Sequence, residues 1–197
     1  VLKASVARNY RYPSLNDLYF KPGGNDSLKT EKGYTYEGGM EFRVKEGAFD
    51  FGGEVTVYNS HIRDWIVWLP TFKGFWTPLN VKKEHSYGVE LRGDLSVKLG
   101  RRWALNLNAF WAKTRSINWG DPKEWYDQSI GKQLVYVPEY SSGVTGRLSW
   151  RGYELTYRYN YYSERYTTSS NEKGSSLYLL NSYYMNDLGL GKTFRLS

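Results

Sequence analysis

The groups able to do acid–base chemistry fall into a few short runs. Glu37, Glu41, Glu54, Glu90 and Asp94 each sit on the polar side of a segment that alternates polar and apolar residues. Two such carboxylates facing each other about 5–5.5 Å apart would suit glycoside hydrolysis, one as acid and one as nucleophile. The same polar sides carry Arg43, Arg92, Arg147 and Arg158, and ion pairing with these is the favoured reading. His61 and His85 are the only histidines and there is no cysteine. Disulfides and thiolate metal sites are therefore excluded, and a metal role for the histidine pair has little behind it. Gly191-Lys192-Thr193 matches the end of a phosphate-binding loop. That motif needs glycine where Asn186 stands, and a strand-to-helix junction. No catalytic residue, cofactor or metal is assigned, and an enzyme is not expected.

Clustered aromatics are the stronger candidates. Trp65, Trp68, Phe72, Phe75 and Trp76 lie within a dozen residues. Tyr12 and Tyr19 lie in an irregular stretch rich in Pro, Gly, Asn and Asp, and Trp119, Trp125 and Tyr126 in another. Exposed aromatic clusters usually mark binding surfaces. The candidate ligand-binding set is accordingly Tyr12, Tyr19, Trp65, Trp68, Phe75, Trp76, Trp119, Trp125 and Tyr126. The competing reading is that long loops pack on one another, or that the rings touch lipid.

Period-two alternation dominates the segments that hold these residues in place, and helical periodicity is almost absent. Tyr153, Leu155, Tyr157, Tyr159 and Tyr161 share one side of a strand, opposite Glu154, Thr156, Arg158 and Asn160. Segments 87–97, 103–111 and 49–57 repeat the pattern, with weaker copies at 2–7, 36–44, 140–150 and 188–194. That makes about eight strands. Leu155 reads as a lipid-facing residue near the middle of its span and Thr156 as lumen-facing. Aromatics are 18% of the chain, with 19 Tyr and 8 Trp, yet the mean hydropathy is −0.65. A polar chain this rich in rings places them on a surface. The formal charge of +7 suits solvated loops as well as an anionic partner. Because the aromatics avoid the Arg- and Lys-bearing side of the strands, a nucleic-acid partner is not expected.

The connections say more than the strands. Three are tight, at 45–49, 99–103 and 150–154; four are long, at 10–34, 63–86, 116–140 and 165–180. Short and long alternate along the chain. In an up-and-down antiparallel sheet this puts all long loops at one end, as in outer-membrane barrels. There is no helical span of about 18 apolar residues, but a β-span needs only ~9–11 alternating ones. The fold expected is an all-β antiparallel up-and-down meander of about eight strands, part of a large transmembrane β-barrel. A soluble alternative is a jelly-roll glycoside hydrolase or carbohydrate-binding β-sheet protein, which would divide its loops between both ends.

Residues 9–42 sharpen the choice. Arg11-Tyr12-Pro13-Ser14-Leu15, then Asn25-Asp26-Ser27-Leu28-Lys29-Thr30-Glu31, then Tyr36-Glu37-Gly38-Gly39 resemble an ordered box of TonB-dependent outer-membrane receptors. Tyr12 replaces the usual Ala, and the prolines usual in the second element are missing. "YNSHIRDWIVW" at 58–68, "NVKKEHSYGVELRGDL" at 80–95, "YELTYRYNYYSERY" at 153–166 and "DLGLGKTF" at 187–194 resemble later strands of that family. The resemblance, nearest to vitamin B12 and siderophore receptors, implies a bacterial outer-membrane location and uptake of a large scarce nutrient, energised through TonB. It also implies that residues 1–197 are a barrel fragment, with the plug domain that meets the TonB complex and the first and last strands absent. Haem receptors often carry a histidine between the two boxes; none lies between Arg11 and Asn25.

Overall fold

The computed structural model describes residues 1–70, 74–100, 102–120, 128–175 and 177–194, with backbone alone at 69, 70, 81 and 82. One sheet carries the strands β1 (Leu2–Arg11), β2 (Glu31–Glu46), β3 (Phe49–Pro70), β4 (Trp76–Leu99), β5 (Trp103–Asn118), β6 (Tyr140–Trp150), β7 (Tyr153–Tyr162) and β10 (Tyr183–Lys192). A helix α1 (Leu15–Tyr19) and a small hairpin, β8 (Arg165–Tyr166) with β9 (Leu179–Leu180), lie in the connections. The sheet order is β1-β2-β3-β4-β5-β6-β7-β10, antiparallel throughout. Sequential order of this kind is a meander and not the Greek-key path of a jelly roll.

Turn chemistry fixes one end of the sheet. Gly47 (φ 53°) opens the two-residue turn from β2 to β3, and Gly100 (φ 71°) opens the turn from β4 to β5. Between β6 and β7, Arg151 (φ 47°) and Gly152 (φ 85°) both take the positive φ that a twisted two-residue hairpin demands. Every longer connection therefore emerges at the opposite end, as the alternation of lengths predicts. One boundary differs. Residues 63–86, expected as a loop, are mostly strand: β3 runs to Pro70 and β4 starts at Trp76. A register shift between Ile62 and Ile66, with Asp64 at φ 57°, bends this hairpin. The bulge breaks the period-two signal, so the outer half of the hairpin looks irregular in sequence.

Each strand sorts its residues between two faces. Cross-strand pairing lines up Phe49, Val97, Leu105, Leu148, Leu155 and Leu190 in one outward row. One row nearer the turns stand Leu99, Trp103, Trp150 and Tyr153. Their rings stack, with centroids 5.4 Å apart for Trp103–Trp150 and 5.8 Å for Trp150–Tyr153. Toward the loops the apolar rows end at Tyr36, Tyr87, Trp111, Tyr140 and Tyr161. From Phe49 to Val57 the apolar side of β3 covers nine residues, roughly 26 Å along the strand at the usual rise and about 20 Å of height at a barrel tilt near 40°. An outer-membrane barrel has an apolar band of about 25 Å between aromatic girdles. Leu155 is thus beside the inner girdle rather than at mid-depth; Leu107, one row farther out, is nearer the middle.

The other face is charged. Arg43 reaches over Gly52 to Asp94 at 2.8 Å and also holds Asp50 at 2.6 Å. Arg92 pairs with Glu90, Arg147 with Glu154, and Lys3 with Glu41. The carboxylates weighed for hydrolysis are therefore largely tied to cations, as the favoured reading expects; no ion pair involves Arg158 among the described residues. Tyr58 crosses Gly88 in the same manner to meet the Thr114 hydroxyl at 2.8 Å. At Gly52 and Gly88 a Cβ would collide with the atoms that pass over it. Glycine is needed there for room beneath a bridge spanning three strands.

Among the described residues the buried apolar side chains include Ile66, Pro78 and Val97. The accessible surface is 14023 Å², against roughly 9,600 Å² for a compact monomer of this mass. Val57, Phe51, Leu188 and Leu190 are exposed. Among the described residues the sheet has no second layer over its apolar face. That face suits lipid, where water is already absent.

Candidate functional site

The long connections gather at one end, and polar anchors fix their shape. The first, from β1 to β2, folds onto the β3–β4 hairpin. Ser14 caps α1: its hydroxyl accepts the Asp17 N–H at 3.1 Å, while the Asp17 carboxylate accepts the Ser14 N–H at 2.9 Å. This reciprocal box satisfies two donors that a helix start leaves open. Asp17 is buried, and it also accepts the Trp68 indole N–H at 2.9 Å and lies 3.5 Å from Arg11. Burial pushes its acidity down, but the Ser14 amide and hydroxyl, the Trp68 indole and Arg11 together outweigh that. The carboxyl is held below its ordinary range.

Glu31, also buried, binds the same Arg11 and accepts the backbone N–H of Ile66 at 2.9 Å. Asn25 donates to the Pro78 carbonyl at 3.0 Å, and Asn80 both accepts from and donates to the Lys29 backbone. Gly23 (φ 126°) packs so tightly on the Trp76 carbonyl that a Cβ has no space. Arg11, Ser14, Asn25, Lys29 and Glu31 are the residues that carry the family-like box. In this fold they are docking residues. Asn25, Lys29 and Glu31 bond the hairpin directly, while Ser14 and Arg11 hold Asp17, which meets the hairpin through Trp68.

The third and fourth connections interlock likewise. Asn118, 2% exposed, donates to Ser129 at 2.8 Å. Gln133 accepts the Ser116 N–H, and its backbone exchanges two hydrogen bonds with Asn171, at 2.7 and 2.9 Å. Asp17, Glu31, Asn118 and Gln133 escape a search for reactive groups. What marks them in sequence is polar side chains able to bond backbone, set in irregular runs or at the strand ends beside them.

The aromatic candidates separate. Trp68 is a prop: its N–H is spent on Asp17 and its ring meets Phe20 edge-on at 5.9 Å. Trp65 is half-buried on β3, and Phe75 lies against Gly23. Tyr12 (77% exposed), Tyr19 (64%) and Trp76 (57%) present rings at the surface of the first loop and the hairpin. Trp119 is exposed too, but beside a different group: His61 and His85 stack 4.2 Å apart, with the Trp119 ring 5.5 Å from His61. Register places the two histidines directly opposite each other. Trp125 and Tyr126, with Phe72, lie outside the described residues. The set expected from sequence is thus divided between the first loop with the hairpin tip and a separate histidine-centred cluster.

An eight-stranded antiparallel meander, apolar on one face, charged on the other and carrying its long connections at one end, has the architecture of the wall of a large transmembrane β-barrel. The model for TonB dependent receptor-like β-barrels matches residues 1–197, and the chain belongs to that family. It is 29% identical over 128 residues to the vitamin B12 transporter BtuB of Vibrio vulnificus, covering 64% of this chain and 18% of that protein. Similarity to the vitamin B12 transporter BtuB of Photobacterium profundum is 31% over 94 residues, covering 46% and 15%. Among solved structures, the copper transporter OprC superposes with a TM-score of 0.66 at 14% identity, over 95% of this chain and 28% of that one. The ferric yersiniabactin uptake receptor FyuA from Yersinia pestis gives 0.61 at 20%, over 97% and 27%. These structures share the fold. The chain spans less than a fifth of the B12 transporters it matches.

Proposed function

We propose that this chain is a section of the barrel wall, with its loops, of a bacterial outer-membrane receptor for active uptake of a large scarce nutrient: cobalamin, a siderophore or a similar compound. The observation that carries the reading is the one-ended gathering of long, internally docked loops on a wall with a charged inner face. Such loops present Tyr12, Tyr19 and Trp76 as rings on a fixed scaffold, so ligand contact costs little ordering. The charged inner face gives a polar route past the wall. Energy would come from the TonB complex, through a plug domain that lies outside this chain, and the first and last strands of the barrel would come from the rest of the same protein. Both edge strands, β1 and β10, are exposed along their whole length. A closed barrel would pair them, because lipid tolerates no open sheet edge.

Uptake by cells with and without the full gene tests this, using labelled cobalamin, ferric siderophores, haem and glycans in parallel. Loss of TonB-dependent uptake of cobalamin or a siderophore is the expected result. Unchanged uptake of all four would overturn the reading, and loss of haem alone would reassign the ligand.

A further inference from the structure

The inward residues of β5 carry no charge. Every second residue from Ala104 to Ser116 faces the inner side, with Asn106, Asn108, Phe110, Ala112 and Thr114 between them. The strands on either side differ. β4 presents Glu90, Arg92, Asp94 and Lys98 to the same side, and β7 presents Glu154 and Arg158. β6 adds Ser141, Gly143, Thr145 and, near the tight turns, Arg147. An uncharged lane thus descends the inner face from the loop-bearing end, between two charged walls. It borders a hollow of about 610 Å³. The charged border of that hollow is already paired: Asp94 with Arg43, Glu90 with Arg92 and Glu41 with Lys3. Its uncharged side is not. Asn106 and Thr114, at the two ends of the lane, bond Ser96 and Tyr58. Between them, the side chains of Asn108, Ser141, Thr145 and Asn160 make no hydrogen bond among the described residues. Phe110 supplies the large apolar ring on this side of β5. It is 39% exposed and lies over Gly143, where a Cβ would collide with the ring and with Asn160 Oδ1.

Neutral hydrogen-bonding groups around an exposed ring, in a concave part of a wall whose charges are already paired, have the makings of a ligand subsite. We propose that this lane is where the nutrient passes the barrel wall on its way inward. Phe110 is the contact half-way down, and Asn108, Thr145 and Asn160 exchange hydrogen bonds with amide and hydroxyl groups of the ligand. A ligand moving along the charged walls would have to part ion pairs. Along the lane it meets short neutral side chains, and their bonds to it replace bonds to water at little net change. The inference rests on the uptake reading, since a lane matters only if the lumen carries ligand.

The test uses the intact receptor in cells, with radiolabelled cobalamin and ferric yersiniabactin as probes. Surface binding is read in energy-depleted cells and uptake in energised ones. Ala112→Trp narrows the lane. Thr56→Trp adds bulk in the same row of paired residues, Thr56, Glu90 and Ala112, but outside the lane. Ala112→Trp should lower uptake about tenfold or more, while surface binding, made by the loops, stays within about twofold of wild type. Thr56→Trp should change neither. Phe110→Ala should slow uptake and Phe110→Tyr restore it. Equal uptake by the Ala112 and Thr56 variants overturns the lane. If Ala112→Trp loses surface binding, Phe110→Ala decides, and uptake at the wild-type rate overturns the proposal. Vancomycin entry, measured in parallel, reports the seal of the plug. Lost uptake together with vancomycin entry in Ala112→Trp would mean that this row packs on the plug domain and not on the nutrient, which overturns the lane as well. Wild-type cells that take up neither probe would sink the uptake reading itself, so its failure is distinguished from a failure of the lane alone.

Discussion

The Asp17 carboxylate accepts the indole N–H of Trp68 at 2.9 Å, joining the first long loop to a strand 51 residues farther along the chain. The contact sits beside Arg11 and Glu31, and it makes a loop of irregular sequence into a docked element. Asp17→Asn keeps the shape but removes the charge shared with Arg11. Asp17→Ala leaves the Ser14 amide and the indole without an acceptor. The Ala change should cost the docked state about 1–3 kcal/mol, read as faster proteolysis within 12–30 while the strands stay protected. Loss of the whole barrel would show that the contact supports more than the loop.

Acidity should release the same loop. The Asp17 carboxyl is held below its ordinary value in the folded state. The stability it contributes is therefore complete above the unfolded carboxylate pKa, near 4, and is lost as pH falls through the lower folded value. Amide exchange or nicking in 12–30, followed from neutral pH downward, should rise in that acid window. Asp17→Asn should remove this group's share of the pH dependence.

Depth within the lipid band should set the cost of a charge. Leu107→Arg, near mid-band, is expected to destabilise the reconstituted receptor by ~2–4 kcal/mol, and Leu155→Arg, beside the Trp150 and Tyr153 girdle, by ~0–1 kcal/mol. Thr156→Arg on the inner face should cost little. Denaturant titration in vesicles measures all three. Similar values for Leu107 and Thr156 would contradict the assignment of faces.

Gly52 and Gly93 are close neighbours in paired mid-sheet strands, yet they should respond differently. A Cβ on Gly52 would stand 2.4 Å from the Asp94 carboxylate that bonds Arg43, whereas Gly93 faces open space to 3.9 Å. Gly52→Ala should displace Asp94 from Arg43 and lower the unfolding midpoint. Gly93→Ala should be neutral or stabilising by up to ~1 kcal/mol, as a strand glycine replaced. Unfolding midpoints of the two variants in one detergent decide it.

The two tryptophans of the hairpin should divide by role. Trp76→Ala removes an exposed ring and should weaken nutrient binding about tenfold or more, as hot-spot truncations do, with the loop still protected. Trp68→Phe should loosen the loop first, because it removes the Asp17 donor. Ligand titration paired with limited proteolysis separates the two. Equal affinity for Trp76→Ala and wild type would remove that ring from the site.

Alternation and loop length were legible in the sequence because both are local. A strand shows its two faces every second residue, so Tyr153–Tyr161 reveals an apolar side before any neighbour is known. Gly47, Gly100 and Gly152 mark the tight turns by the positive φ they supply. From these the meander, the lipid-facing side and the loop-bearing end follow. The outer half of the β3–β4 hairpin was not legible, because the bulge at Ile62–Ile66 breaks the period. Nor was the function of the Arg11–Glu31 box, whose partners Trp68, Pro78 and Asn80 lie on another hairpin. Tertiary structure decided that Trp68 is a prop while the Trp76 ring stays exposed, and that His61 and His85 stack face to face. Each of these depends on inter-strand register, which no single strand's pattern fixes, because register is set by pairing across the whole sheet.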